Sequence, residues 1–205
     1  MIDYGGVFIS FFAVIDPIGT VPVFIAITRG YGATEKRKIA LKGTFFAAAV
    51  LLFFVLAGGP ILTAMSIPLS AFQISGGIVL FVFALFMVFG ESKPEEEKRL
   101  IQGQNEMAIF PLAVPSMASP GAMLASVLLT DHTRFGVWEQ IQTVIIMLLV
   151  LVFACVLMLG ASFIDRFLGN AGASVISRVM GIILASVATN HILRGLSSYF
   201  SIPIT

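Results

Sequence analysis

Long apolar runs separated by short polar intervals dominate this 205-residue chain. A helix crossing a bilayer needs about 20 predominantly apolar residues. Six runs meet that length, at roughly 5–28, 44–64, 68–90, 107–130, 138–160 and 174–197. The polar interval 91–106 contains Lys93-Pro94-Glu95-Glu96-Glu97-Lys98-Arg99 and reads as a solvated linker. It separates a first three-helix repeat, 1–90, from a second, 107–205, within one membrane domain. Three spans is an odd number, so the second repeat enters the membrane from the opposite face. The expected fold is an all-α integral membrane protein of six transmembrane helices, arranged as two inverted-topology three-helix repeats.

Two of the apolar runs are interrupted in the same way. Asp16-Pro17 breaks the first and Ser119-Pro120 the fourth, 103 residues later. In each, a residue favoured as a helix N-cap precedes a proline, which suits the first helical position. Proline also drives the preceding residue out of the right-handed helical region, so an arriving helix must stop and restart. The expected architecture thus has broken helices 1 and 4. At 1.5 Å per residue, both breaks lie about 16–18 Å from their span entrances, near the middle of a 30 Å hydrocarbon core. A weaker echo supports the repeat: Gly77-Ile78-Val79-Leu80 matches Gly181-Ile182-Ile183-Leu184, and Gly90 and Gly195 close the two segments.

Composition fixes the environment. Apolar residues make up 58% of the chain and charged ones 11%, with a mean hydropathy of +1.02; a soluble domain carries about 25% charge. The opening Met1-Ile2-Asp3-Tyr4 lacks the basic region of a cleavable signal peptide. Of twelve Lys and Arg residues, ten fall in loops one, three and five: Arg29, Lys36, Arg37, Lys38, Lys42, Lys93, Lys98, Arg99, Arg166 and Arg178. Only Arg134 and Arg194 fall on the other side. The positive-inside rule then puts those loops in the cytoplasm and both termini outside. The net charge of +1 offers no basic patch for nucleic acid. Cys155 excludes an intrachain disulfide and reads as a small packing residue.

Candidate chemistry gathers at the breaks. An ionised Asp at mid-membrane costs about 2.5–3.5 kcal/mol even on insertion scales, which simple anchoring does not require. The half-helices starting at Pro17 and Pro120 would aim free N–H groups and positive dipole ends at the midplane. A zwitterion would fit, with its carboxylate on the Ser119, Gly121 and Ala122 amides and its ammonium near Asp16. The alternative is that Asp16 merely caps a kinked helix. Gln73 and Ser75 could line a pathway or bond between helices. In the last span, Asn190 is a candidate, whereas His191 reads as interfacial. Ser177, Gly181, Ala185 and Thr189 form a small-residue stripe for helix packing. His132 beside Asp131, distant from His191 and Cys155, makes no metal site.

At this level the residues resemble a known family. Phe12-Ala13-Val14-Ile15-Asp16-Pro17-Ile18-Gly19-Thr20-Val21-Pro22-Val23-Phe24 is similar to the first signature of the MarC family of bacterial and archaeal inner-membrane proteins. Pro111-Leu112-Ala113-Val114-Pro115 with Ser119-Pro120-Gly121-Ala122 resembles the second, and Phe72-Gln73-Ile74-Ser75-Gly76-Gly77-Ile78 the third-span pattern. Ser119 departs from the family, which usually has Gly there. The resemblance implies a relation to neutral amino acid transporters and LysE-type exporters, in a family named for a multiple antibiotic resistance locus. It marks Asp16, Pro17, Gly19, Thr20, Pro22, Ser119, Pro120, Gly121 and Ala122 as the site.

Three functional classes follow. The first is a transporter or exporter of small neutral amino acids or similar solutes, coupled to H+ or Na+. The second is a channel or accessory subunit, for which no ring of like charges is visible. The third is an intramembrane hydrolase, which Ser119 does not suit, being followed by Pro with no nucleophile elbow. No phosphate-binding loop is present, so ATP is not the expected energy source. No enzyme activity, metal or cofactor is expected. The expected partners are the lipid bilayer and a small solute, and a homo-oligomer is compatible with the sequence.

Overall fold

The computed structural model describes residues 3–28, 30–89, 108–132 and 134–201. The linker 91–106, with Lys93, Lys98 and Arg99, lies outside the described residues, as does Arg29. Among the described residues the chain is wholly helical. The first apolar run forms α1 (Tyr4–Ile15) and α2 (Pro17–Ile27), divided at Asp16. Then come α3 (Ala33–Ala64) and α4 (Leu69–Phe89). The fourth run also divides, into a wide π-helical segment α5 (Ala108–Met117) and α6 (Pro120–Leu128). The last two helices are α7 (Val137–Leu159) and α8 (Ala161–Phe200).

Among the described residues, five helical stretches are long and apolar enough to cross a membrane: Tyr4–Ile27 (α1 with α2), Ala33–Ala64, Leu69–Phe89, Val137–Leu159 and Arg178–Phe200. Neither α5 nor α6 alone reaches that length. Two helices begin earlier than their apolar runs, α3 at Ala33 rather than 44 and α8 at Ala161 rather than 174. At α3 the reason is visible: Glu35 closes back on the Gly32 amide at 3.0 Å, and the following Lys and Arg residues are good helix formers. Hydropathy marks what lipid covers, not where a helix starts.

The packing is turned outward. Along α3 the buried positions are Ile39, Ala40, Gly43, Ala47, Leu51, Val55 and Gly58, whereas Phe45, Phe53 and Leu56 are exposed. On α7, Trp138, Ile141, Ile145, Leu149, Val152 and Val156 are exposed. Large apolar side chains on the outside and small ones between helices suit a lipid solvent, where close backbone approach drives association. Trp138 sits in the first turn of α7, a depth at which membrane-interface tryptophans gather.

The most extensive helix pair is α4 with α8. A Cβ on Gly77 would meet Ile192 and the Ala188 carbonyl, and one on Gly181 would meet the Ala84 carbonyl and Val88. A Cβ on Gly195 would crowd Ile74 and the Ser70 carbonyl, so α4 and α8 run antiparallel. The neighbours of the other helices form largely reciprocal sets, the contact of α1 with α8 being an exception. α3 packs on α5 and α6 while α7 packs on α1 and α2; α4 packs on α6 while α8 packs on α2; α1 meets α6 while α5 meets α2. The small-residue stripe is used in part. Gly181 faces α4, but Thr189 is exposed and donates to the Ala185 carbonyl at 2.9 Å.

Candidate functional site

The two breaks meet inside the bundle. Asp16 ends α1 by donating its N–H to the Phe12 carbonyl at 3.1 Å. It adopts a left-handed conformation, φ 49° and ψ 65°, which Asp tolerates better than most residues because its short side chain can bond locally. That bond is made: Oδ1 accepts from the Gly19 amide at 2.9 Å, capping α2. Glycine at 19 leaves room for this cap, since a Cβ there would meet the Asp16 carboxylate and force it to move. Thr20 closes the turn, its N–H and its hydroxyl each donating to the Asp16 carbonyl at 3.0 Å.

Ser119 makes the second break without left-handed geometry, at φ −66° and ψ 158°. Its Oγ accepts from the Ala122 amide at 3.0 Å and donates to the Val14 carbonyl at 2.6 Å. A carbonyl freed where α1 stops is thus satisfied by the residue that starts α6. A second link runs from Thr20 Oγ1 to Ser116 Oγ, 3.2 Å apart. These bonds tie the break in each run to the other, and Asp16, Thr20, Ser116 and Ser119 are all buried. Asp16 is 5% exposed and has no ion-pair partner among the described residues.

The structure therefore brings Asp16, Pro17, Gly19, Thr20, Ser119, Pro120, Gly121 and Ala122 into one buried junction. Pro22 sits half-buried one turn along α2. Two details refine the expected anion cradle. The Ala122 amide is already capped by Ser119, and the space beside Gly121 is filled by Leu80 of α4. The other two candidates stand apart. Gln73 is half-buried on α4 and Asn190 exposed on α8, and neither bonds to the junction. His191 is half-buried, with an Nδ1 that is buried and without a hydrogen-bond partner among the described residues. Sequence reasoning missed Ser116 and the Val14 carbonyl. Ser116 had a signal, a hydroxyl in an otherwise apolar run one turn before a break; the carbonyl had none, since any residue carries one.

Comparisons with known proteins place the chain in a family. A family model described as MarC family integral membrane protein matches residues 1–200. A UPF0056 membrane protein of Methanocaldococcus jannaschii is 35% identical over 194 residues, covering 92% of this chain and 93% of that protein. One from Bacillus subtilis is 32% identical over 202 residues, covering 96% and 95%. A third, from Aquifex aeolicus, is 31% identical over 195 residues, covering 93% and 91%. No solved structure matches the chain. On its sequence over nearly its whole length, and with apolar helices to match, the chain belongs to the MarC family of integral membrane proteins.

Proposed function

We propose that this protein is a secondary transporter or exporter of small neutral amino acids or similar small solutes, driven by a proton or sodium gradient across the cell inner membrane. The observation that carries the reading is the meeting of two interrupted helices at a buried, uncompensated carboxylate. Irregular backbone at membrane depth is tolerated where it is enclosed by protein or lines a cavity, and in transporters such breaks form the solute site. Asp16 offers a negative charge for a solute ammonium, a proton or a sodium ion. The hydroxyls of Thr20 and Ser116 supply neutral oxygens close by. This is binding and conformational chemistry, with no bond-making step.

The reading includes six spans in two inverted repeats, with α5 and α6 together forming the fourth span. Three features support it: the shared spacing of the breaks, the antiparallel α4–α8 pair and the reciprocal helix neighbours. The cationic start of α3, with Lys36, Arg37, Lys38 and Lys42, would face the cytoplasm, placing both termini outside.

The test is uptake of labelled alanine, glycine and serine into proteoliposomes under imposed proton or sodium gradients. Asp16→Asn should cut gradient-driven uptake about 10- to 100-fold, the loss expected when one partner of a charged hydrogen bond is neutralised. Undiminished uptake in Asp16→Asn would remove the carboxylate from the mechanism. Absence of flux for all three solutes would remove the substrate class.

A further inference from the structure

Two cavities lie at opposite ends of the bundle. One, of about 190 Å³, is bounded by Val55, Gly59 and Thr63 on α3 and by Val127, Thr130 and Asp131 at the end of α6. The other, of about 360 Å³, is bounded by Phe24 on α2, by Ala33, Lys36 and Arg37 on α3, and by Met158 and Leu159 on α7. From Arg37 to Val55 along α3 is about 27 Å at 1.5 Å per residue.

The walls of the two cavities correspond in part. Phe24 and Val127 are 103 residues apart, the spacing of Asp16 and Ser119. Val55 and Leu159 are 104 apart, the spacing of Gly77 and Gly181. Each cavity thus lies between a short half-helix of one half of the chain and the C-terminal end of a long helix of the other, and the larger adds the start of α3 to its wall. Each lies seven residues, about 10 Å, beyond its break along the half-helix that starts there. On that half-helix the lining residue nearest the break is Phe24 in one case and Val127 in the other, exposed 2% and 4% respectively. Val127 is held tightly, for a Cβ on Gly58 would run into its side chain.

We propose that these cavities are the two entrances to the buried junction, and that Phe24 and Val127 are the gates that close them. The proposal rests on the transport reading and adds to it the route and the residues that control it. The entrances differ in chemistry. Lys36 and Arg37 rim the larger one and receive a solute carboxylate; hydroxyls of Thr63 and Thr130 line the smaller, where Asp131 pairs with Arg134 at 3.6 Å. The smaller entrance also limits size. Pockets for drug-sized ligands span about 300–1,000 Å³, so the route suits a solute of a few heavy atoms rather than an antibiotic.

The test needs no knowledge of the solute. In a Cys155→Ala background, Ser116→Cys reports on the junction, and a membrane-impermeant thiol reagent is applied to right-side-out and inside-out vesicles. Phe24→Ala should speed labelling about tenfold from the face bearing Lys36 and Arg37 alone, as a closed state loses population. Val127→Gly should do so from the opposite face alone. Should Phe24→Ala fail to fold, Phe24→Val, carrying the residue of its counterpart, serves in its place. Acceleration from both faces, from the wrong face, or in neither variant overturns the gates. Side-specific labelling in these variants together with no uptake by the protein that retains Ser116 would instead count against the transport reading alone.

Discussion

Asp16 and Ser119 each stand where a helix restarts at a proline, and they solve the same problem differently. Asp16 accepts from one amide through its carboxylate; Ser119 spends its hydroxyl on an amide and on a carbonyl of the other half. Ser119→Ala loses both bonds and leaves the Val14 carbonyl unsatisfied in a buried place. Its cost should be about 1–3 kcal/mol, read as a lower unfolding midpoint in detergent. The Thr20–Ser116 pair is suited to a double-mutant cycle, since both hydroxyls are buried. Alanine at each and at both should reveal a coupling of about 0.5–1.5 kcal/mol; additive losses would mean the hydroxyls do not interact. At this scale the sequence was informative about caps. Asp-Pro-x-Gly and Ser-Pro-Gly announce helix restarts through local sterics alone. It was silent about which break touches which, because that depends on a chain reversal 100 residues long, and it could not show that Leu80 fills the space beside Gly121.

Among the elements, the α4–α8 pair carries the clearest prediction. Gly77 reaches Ala188 and Ile192, and Gly181 reaches Ala84 and Val88, each contact being the image of the other 104 residues along. Gly77→Val and Gly181→Val should therefore destabilise to a similar degree, about 1–3 kcal/mol each from overpacking against backbone. Gly59→Ala is the control: nothing lies within 4 Å of a Cβ there, so it should be neutral or slightly stabilising in thermal melts. The glycine echo was visible in the sequence, but its meaning was not. A Gly-Ile-Val-Leu tetrad in an apolar chain fits any close helix contact, and only the fold shows the glycine of each packing on the turns that follow the other. The early starts of α3 and α8 were hidden for a different reason, since charged helical turns carry no hydropathy signal.

Across the whole molecule, the sequence divides into halves that the fold does not keep apart. The principal neighbours of α3 are α5, α6 and α7, and those of α7 include α1, α2 and α3. Each half thus completes the other. Segments 1–90 and 107–205 expressed singly should be degraded or aggregate, while co-expression should restore a complex that survives purification. Stable isolated halves would show that the cross-packing is dispensable.

The outward placement of large side chains also bears on how the protein melts. For a water-soluble domain, unfolding wets apolar surface and raises the heat capacity by about 12–15 cal/mol/K per residue. Here Phe45, Phe53, Leu56 and the exposed face of α7 are already against lipid or detergent, and on unfolding in a micelle they stay there. What melting breaks is dispersion contact among small, close residues such as Ala40, Gly43 and Ala47. Calorimetry in micelles should return a heat-capacity increment well below the soluble value. The stability curve would then be nearly straight, and cooling would not weaken the fold as it does where water supplies the cohesion.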